Sequence, residues 1–504
     1  MTKKASIGRI VVMLLTLSVL LLSTTARGAR AQRTHDDVTI DFWIPLNDAL
    51  TRSLLEPYFR QFEKLTPGVK VKYTFVVEDN NYVKYTTAIA AGHGPDVILT
   101  TGFNPPVPSW AANSFIQPLD PYFKQLGVTQ DKFLPWIWNM QYFHGHVWGF
   151  VQEYDTTLFV WNKDAFKKAG LDPNKPPHTI AELDADAQKL TKFDAKGNLI
   201  QAGFIPWADQ GTDPRFWTTM FGGRIYDAKQ HKYVINSAAN VRALQWIGKY
   251  AKLLGGAQKV DGFLKAFSGN ADPLYTGQVA MKVVGDWVPP FNFKPYAPKN
   301  FHWGVAQAPT APGVPYGTNI VIGSDTFVLV AGAKHPKEAA KLMLYMMRPA
   351  PVLAWSIGEA NVPPTRESVF DTAFVKGAPF MSVTVDTARL ALKNPAALDP
   401  SPSSSIYDFM RPQLITAMQQ VEFGRMSPQA ALNGAQKLAE QHLATVKRAV
   451  PEGSVRSQTA RGRQAALGWE RPVAGVVRPP AAARTPRPSA PGTGGVARPG
   501  RLPR

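Results

Sequence analysis

Val38-Thr-Ile-Asp-Phe-Trp43, Val69-Lys-Val-Lys-Tyr-Thr-Phe75 and Val97-Ile-Leu99, with what lies between them, decide the fold. The first is a short β-rich run. In the second, Val69, Val71, Tyr73 and Phe75 alternate with Lys70, Lys72 and Thr74, the period of a half-buried strand. The third reads as a fully buried strand. Between the first two, Leu54, Leu55, Tyr58, Phe59, Phe62 and Leu65 recur at helical spacing. Pro57 lacks an N–H and is expected to start that helix near Glu56 or to kink it. Thr66-Pro-Gly68 stops it. A second helix is expected over 81–91, ended by Gly92. The order β-α-β-α-β implies an α/β fold with a mainly parallel sheet covered by helices.

The alternation continues along the chain. Thr179-Ile-Ala-Glu182 is a capping box opening a helix with Leu183, Ala187 and Leu190 on one face. Helices are expected over 241–254, after His335-Pro336, and over 429–447. No solenoid-type repeat is present.

The ends differ from this body. Lys3, Lys4 and Arg9 precede a 13-residue apolar run, Ile10 to Leu22, and Ala29-Arg30-Ala31 offers a small-x-small cleavage site. Residues 1–31 therefore read as an export signal. The run is short of the roughly 20 residues that span a membrane, and an uncleaved anchor is the alternative. The chain has no cysteine. That excludes disulfides, thiolate metal sites, cysteine catalysis and a lipoprotein anchor, so a periplasmic or extracellular location is expected. Residues 451–504 hold nine Pro and ten Arg but no Lys, Asp, Ile, Phe, Tyr or Met. Such a segment buries too little apolar surface to fold and reads as a disordered tail.

The net charge of +19 sits mostly at these ends. Residues 1–33 carry +6 and residues 451–504 carry +8, leaving +5 for 34–450. A basic stripe on the folded body is not implied, and nucleic-acid binding is not expected.

Motifs for catalysis are few. The sequence holds no G-x-S-x-G, H-E-x-x-H or G-x-x-x-x-G-K-[ST]. Gly92-His-Gly94 precedes a strand, so it reads as a helix stop and not a dinucleotide turn. His144 and His146 lack a third ligand and read as loop residues. No cofactor and no metal is expected. Gln152-Glu153-Tyr154-Asp155, directly before the strand Thr157-Leu-Phe-Val-Trp161, is the one cluster with chemical content. Two carboxylates beside aromatics serve a glycosidase pair or a sugar-binding cleft. Carboxylates accept the hydrogen bonds of sugar hydroxyls, and aromatic rings stack on sugar CH faces.

Taken in order, several motifs resemble the extracellular solute-binding proteins of the maltose-binding-like group, family 1. They are Ile40-Asp-Phe-Trp43, the segment Phe59 to Val71, Ala88-x-Ala-Ala-Gly92-x-Gly-Pro-Asp96-Val, and Gly149-Phe-x-x-Glu153-Tyr-Asp155. Then come Asn162-Lys-Asp-x-Phe166, Gly277-x-Val-Ala-Met281 leading to Gly285-Asp-Trp287, His335-Pro-x-Glu338, and Asn361-x-Pro363-x-x-Arg366. The resemblance covers about residues 38–447 and omits the tail. It implies a two-lobed periplasmic-binding-protein fold of type II with the ligand cleft between the lobes. Lobe I would be 34–153 plus 327–366, and lobe II 158–322 plus 370–450. Crossings would fall near 154–157, 322–326 and 367–369, and the lobes would close on the ligand by a hinge.

The same resemblance implies the site residues Trp43, Asn47, Tyr82, Phe103, Glu153, Asp155, Asp209, Asp286, Trp287, Asn361 and Arg366. Trp287 would be the stacking aromatic and Asp155 the acidic ligand residue. Where some maltose-type members carry an acid after the Pro-Asp strand, this chain has Thr100-Thr-Gly-Phe103, which argues against maltose itself. The implied function is to bind a mono- or oligosaccharide and deliver it, as a monomer, to the membrane permease of an ABC importer. A sugar phosphate held by Arg366 or Arg224 is the runner-up. A secreted glycosidase using Glu153 and Asp155 is the alternative from another class, disfavoured because a catalytic pair flanks the scissile bond from opposite sides.

The composition of the tail carries a direct consequence. A chain ending at Val450 is expected to keep the melting temperature and ligand affinity of the full chain. Loss of folding on that truncation, seen by circular dichroism, would place the domain boundary elsewhere.

Overall fold

The computed structural model describes residues 38–449 except 46–48, 77–81, 103–105, 126, 228–229, 268–270, 318–319, 322, 378, 394–397 and 400–403. The expected signal and tail lie outside the described residues. So do Asn47 and Phe103. Ten strands carry the architecture: β1 (Val38–Ile44), β2 (Val69–Phe75), β3 (Val97–Thr100), β4 (Phe150–Glu153), β5 (Thr157–Asn162), β6 (Lys192–Phe193), β7 (Leu199–Phe204), β8 (Val279–Gly285), β9 (Trp303–Ala306) and β10 (Asp325–Leu329). They form two five-stranded sheets, ordered β2-β1-β3-β10-β4 and β9-β5-β8-β7-β6.

The first sheet follows from its sequence period. β1 lies between β2 and β3, parallel to both. This is the arrangement that crossover helices impose on consecutive strands. Val69 and Val71 are buried while Lys70 and Lys72 are exposed. The parallel character stops there, because β10 returns antiparallel to both β3 and β4. The second sheet is mixed as well, with β8 parallel to β7 and antiparallel to β5.

The first helix departs from expectation. It runs unbroken over Ala49–Leu65 with Pro57 inside it. Pro57 and Ser53, whose carbonyl loses its helical partner, are both exposed, so water can satisfy that carbonyl. The opposite face buries Leu55, Tyr58, Phe59 and Phe62, and that packing outweighs the proline. The Thr179 capping box forms in full at the start of Ile180–Leu190.

Each sheet has its own core. Phe42, Phe59, Phe327 and Trp355 belong to the first; Phe159, Phe204, Trp217 and Trp246 belong to the second. Residues 370–391 depart from the sequence reading, which gave them to the second lobe. Phe374, Met381, Val385, Ala388 and Ala391 pack into the first core, with only Phe380 and Val383 against a small cluster on the second sheet. The next helices in the second core are Tyr407–Glu422 and Pro428–Ala449. Second-lobe side chains also reach this segment: Gln307 donates to the Val383 carbonyl at 2.6 Å, and the Thr156 and Thr384 hydroxyls lie 3.2 Å apart. Alternating apolar positions in 372–393 fit a helix on either lobe, so periodicity could not decide the side.

The lobes touch at separate points. Ser109, on Val107–Ala112 of the first lobe, donates to the carboxylate of Asp408 on Tyr407–Glu422 of the second. The helix Pro349–Glu359 meets the turn Pro289–Phe293. Burial raises the Asp408 carboxyl from its ordinary 3.8 to about 6. A carboxyl raised in the folded state binds more protons folded than unfolded, so its contribution is present at low pH and is lost as pH rises through about 6. Stability is expected to fall between about pH 4 and pH 6, and Asp408→Asn to remove a component on the order of 1 kcal/mol from that slope. Parallel melting curves of the two proteins across this window check it.

Candidate functional site

Three segments lie side by side where the lobes join: the chain at 154–155, the chain at 323–325, and the first-lobe strand through Asn361 and Val362. Tyr154 and Val362 exchange backbone hydrogen bonds of 2.8 and 2.9 Å. Asp155 and Gly323 exchange a pair of 3.2 Å each. One step back, Asp325 pairs with Glu153 across β10 and β4. In antiparallel register, residues facing each other share a side and residues two apart share a side. Glu153, Asp155, Gly323, Asp325 and Asn361 thus line one face of this junction. Glu153 is fully buried, and Asp155, Asp325 and Asn361 are no more than 4% exposed.

From the second lobe, Asp286 follows the end of β8 and is fully buried. Its Oδ2 accepts from the Thr156 N–H and hydroxyl, both at 2.9 Å. Its Oδ1 finds no partner, nor do both carboxyl oxygens of Glu153, Asp155 Oδ2 and Asn361 Oδ1. Buried polar groups cost free energy unless bonded, so this wall is built for something that donates to it. Burial raises Asp155 to about 7. Glu153, Asp286 and Asp325 rise well above the ordinary carboxylate range, first from burial and then from one another's charge. Among the described residues no Lys, Arg or His pairs with these four acids.

Trp287 stands beside this wall. It is half-buried, with its ring folded back over Gly285, where an added Cβ would lie 2.3 Å from ring carbons. Glycine is required there for close packing. The indole packs against the second core and keeps partial exposure.

The remaining sequence candidates lie elsewhere. Trp43 is half-buried, edge-on to Tyr85 at 5.8 Å. Tyr82 is a correction: it is 4% exposed within the cluster of Tyr85 and Trp110. Its hydroxyl accepts from Thr101 N–H at 2.6 Å and donates to Thr101 O at 2.8 Å. It anchors the backbone after β3. Arg366 is a second correction. It is exposed at the start of a one-turn helix beside Asp131, outside the carboxylate wall. Arg224 is exposed too. Asp209 binds Lys282 at 3.0 Å; Asp272 holds the same ammonium at 3.0 Å. All three line a cavity of about 410 Å³ on the second lobe with Phe267, Tyr275 and Asn292. Sequence reasoning missed Asp325 and Glu359. Asp325 sits inside the expected 322–326 crossing, and an acid at a crossing was the available signal. Glu359, 3% exposed, accepts from Thr51 at 3.3 Å across 308 residues of sequence, which no local pattern shows.

Two mixed five-stranded sheets, each with its own core and joined by strands that carry buried carboxyl groups, are the frame of a two-lobed binding protein. Residues 47–352 match the bacterial extracellular solute-binding protein family, and the chain belongs to it. It is 23% identical over 420 residues to the sn-glycerol-3-phosphate-binding periplasmic protein of Shigella dysenteriae serotype 1, covering 80% of this chain and 92% of the relative. Its fold resembles that of CpMnBP1 with mannobiose bound, at a TM-score of 0.69 and 28% identity over 80% of this chain and 100% of that one. It also resembles the maltose/maltodextrin-binding domain from Bdellovibrio bacteriovorus bound to maltotriose, at 0.62 and 20% over 81% and 100%. No helix among the described residues is long and apolar enough to cross a membrane.

The seat of Trp287 yields a test. Gly285→Ala must displace the indole, at a cost of about 1–3 kcal/mol of stability. If the ring is a ligand platform, affinity should fall by roughly 30-fold, the scale of losing an aromatic hot spot. Calorimetry on the folded variant reads this, and unchanged affinity would make Trp287 a packing residue only.

Proposed function

We propose that the junction binds a neutral mono- or oligosaccharide and that the chain delivers it, as an exported periplasmic or extracellular monomer, to an ABC importer permease. Trp287 is the stacking platform, and Asp155, Asp286, Glu153 and Asn361 are the hydroxyl acceptors. The observation that carries this reading is the pairing of a half-buried indole with a wall of buried, unpartnered oxygens. A pyranose presents an apolar CH face and fixed hydroxyl donors, and it fits both at once. Lobe I is taken as 34–153 plus 325–393 and lobe II as 157–321 plus 404–449, with the hinge at the three crossings.

The mannobiose and maltotriose complexes of structural neighbours support a saccharide, and the glycerol-phosphate-binding relatives raise the phosphate alternative. The charge of the wall favours the neutral ligand. A phosphate needs cations or clustered N–H donors, whereas this wall offers carboxylates. On the second lobe, Arg215 is bonded to Asp213 at 2.9 Å and Lys282 to two aspartates. Hydrolysis is disfavoured by the same geometry, because Glu153 and Asp155 stand on one wall with oxygens within 4.8 Å of each other, where a catalytic pair flanks its bond.

Calorimetric titration with mannobiose, maltotriose and glycerol 3-phosphate at low and high salt tests the reading. A neutral saccharide should bind with affinity nearly independent of salt. Asp155→Asn should weaken it by about 10- to 100-fold, the value of a charge-assisted hydrogen bond. Preferential binding of glycerol 3-phosphate, falling steeply with salt, would overturn it.

A further inference from the structure

The face formed by the crossing strands carries more carboxyl groups than hydroxyl recognition requires, and their crowding opposes ionisation. Glu153 and Asp325 are direct partners on adjacent antiparallel strands, and like charges in that position repel. Asp155 adds a third carboxylate two residues along. One oxygen from each of the three lies within 4.8 Å of the other two. Oxygens sharing one calcium ion at roughly 2.4 Å lie no more than about 4.8 Å apart, a condition the three meet.

A second observation is independent of the acids. The bridge between Tyr154 and Val362 puts Asn361 opposite Asp155, on the same face. Asn361 is 2% exposed and its amide oxygen has no partner. An amide carbonyl needs no cation for charge balance, but it is a good calcium ligand. Gly323, the residue facing Asp155 on its other side, lets the Gly102 backbone and the Asp155 carboxyl approach closely. A Cβ there would sit 2.9 Å from Asp155 Oδ2 and 2.6 Å from the Gly102 carbonyl oxygen.

We propose that Glu153, Asp155 and Asp325, with the amide oxygen of Asn361, form a calcium site in the wall of the cleft. Glu153, Asp155 and Asp325 lie at the two paired segments that join the lobes and Asn361 on the strand beside them; Glu153, Asp155 and Asn361 are also the acceptors proposed for the solute, so this site shares the wall with that reading. The donors are all oxygen, which selects a hard cation. Their unequal reach, from a long Glu to a short Asp, suits the flexible six- to eight-oxygen shell of calcium over the strict octahedron of magnesium. The ion would remove the repulsion between the paired strands and leave open coordination positions facing the lobes' gap.

Calcium chloride titrated into EDTA-treated full-length protein tests this, read by calorimetry and by melting temperature. The expected result is one saturable site per chain with Kd at or below about 10⁻³ M, the range of extracellular calcium modules, and magnesium at least about tenfold weaker. Asp325→Asn should weaken calcium at least tenfold. Because it removes one of three crowded charges, it should melt no lower than wild type without the ion. Glu153→Gln serves as the second variant and should behave alike. Absence of any saturable heat or melting shift up to about 10 mM calcium would overturn the proposal. So would calcium affinity unchanged in both variants, which would put the ion at other acids. Saccharide titrations in EDTA report the cleft's function separately, so either reading can fail alone.

Discussion

The pairing of three sequence-distant segments at the lobe junction is the constraint on which the rest depends. Tyr154 pairs with Val362, Asp155 with Gly323, and Glu153 with Asp325. These bonds do what any antiparallel ladder does: they satisfy backbone groups that burial would otherwise orphan. They also set side-chain direction. The period of two sends Glu153, Asp155, Asp325 and Asn361 to one face, so the register that joins the lobes also builds the wall. A one-residue slip would turn every one of them away.

The wall trades stability for recognition. Four buried acids with no basic partner among the described residues resist ionisation: burial pushes their carboxyls up, and the charge of Asp155 adds to it at the other three. Such an arrangement persists only when the surrounding structure over-determines it, and such sites gather where function needs them. The over-determination is visible: Asp286 is clamped by both donors of Thr156, and Trp287 is seated on a glycine that admits nothing larger. Both residues enter from the second lobe directly after β8. A solute held between them and the first-lobe wall would therefore tie the lobes together.

Much of this was legible along the chain, and the failures have physical reasons. The alternation at 69–75 and the apolar spacing at 54–65 translate directly into a strand and a helix. Pro57 misled because a proline on a solvent-facing turn costs less than one whose lost bond is buried. The Gly285-Asp286-Trp287 order has a steric meaning that the structure shows: the indole lies over a residue that admits no Cβ. Tyr82 looked like a ligand residue because it opens a helix near a strand end. Only three dimensions show its hydroxyl bound to Thr101. Asp325 was hidden by its separation from Glu153: their pairing is a property of the sheet and not of either segment. The side on which 372–393 packs was likewise undecidable from period alone.

The central claim is that the crossings are a hinge and the wall is where a solute closes it. Small-angle X-ray scattering of the full chain, with and without saturating oligosaccharide, measures this most directly. The account predicts a smaller radius of gyration with ligand, as two lobes draw together about the crossings. An unchanged radius, with calorimetry showing the ligand bound, would contradict it.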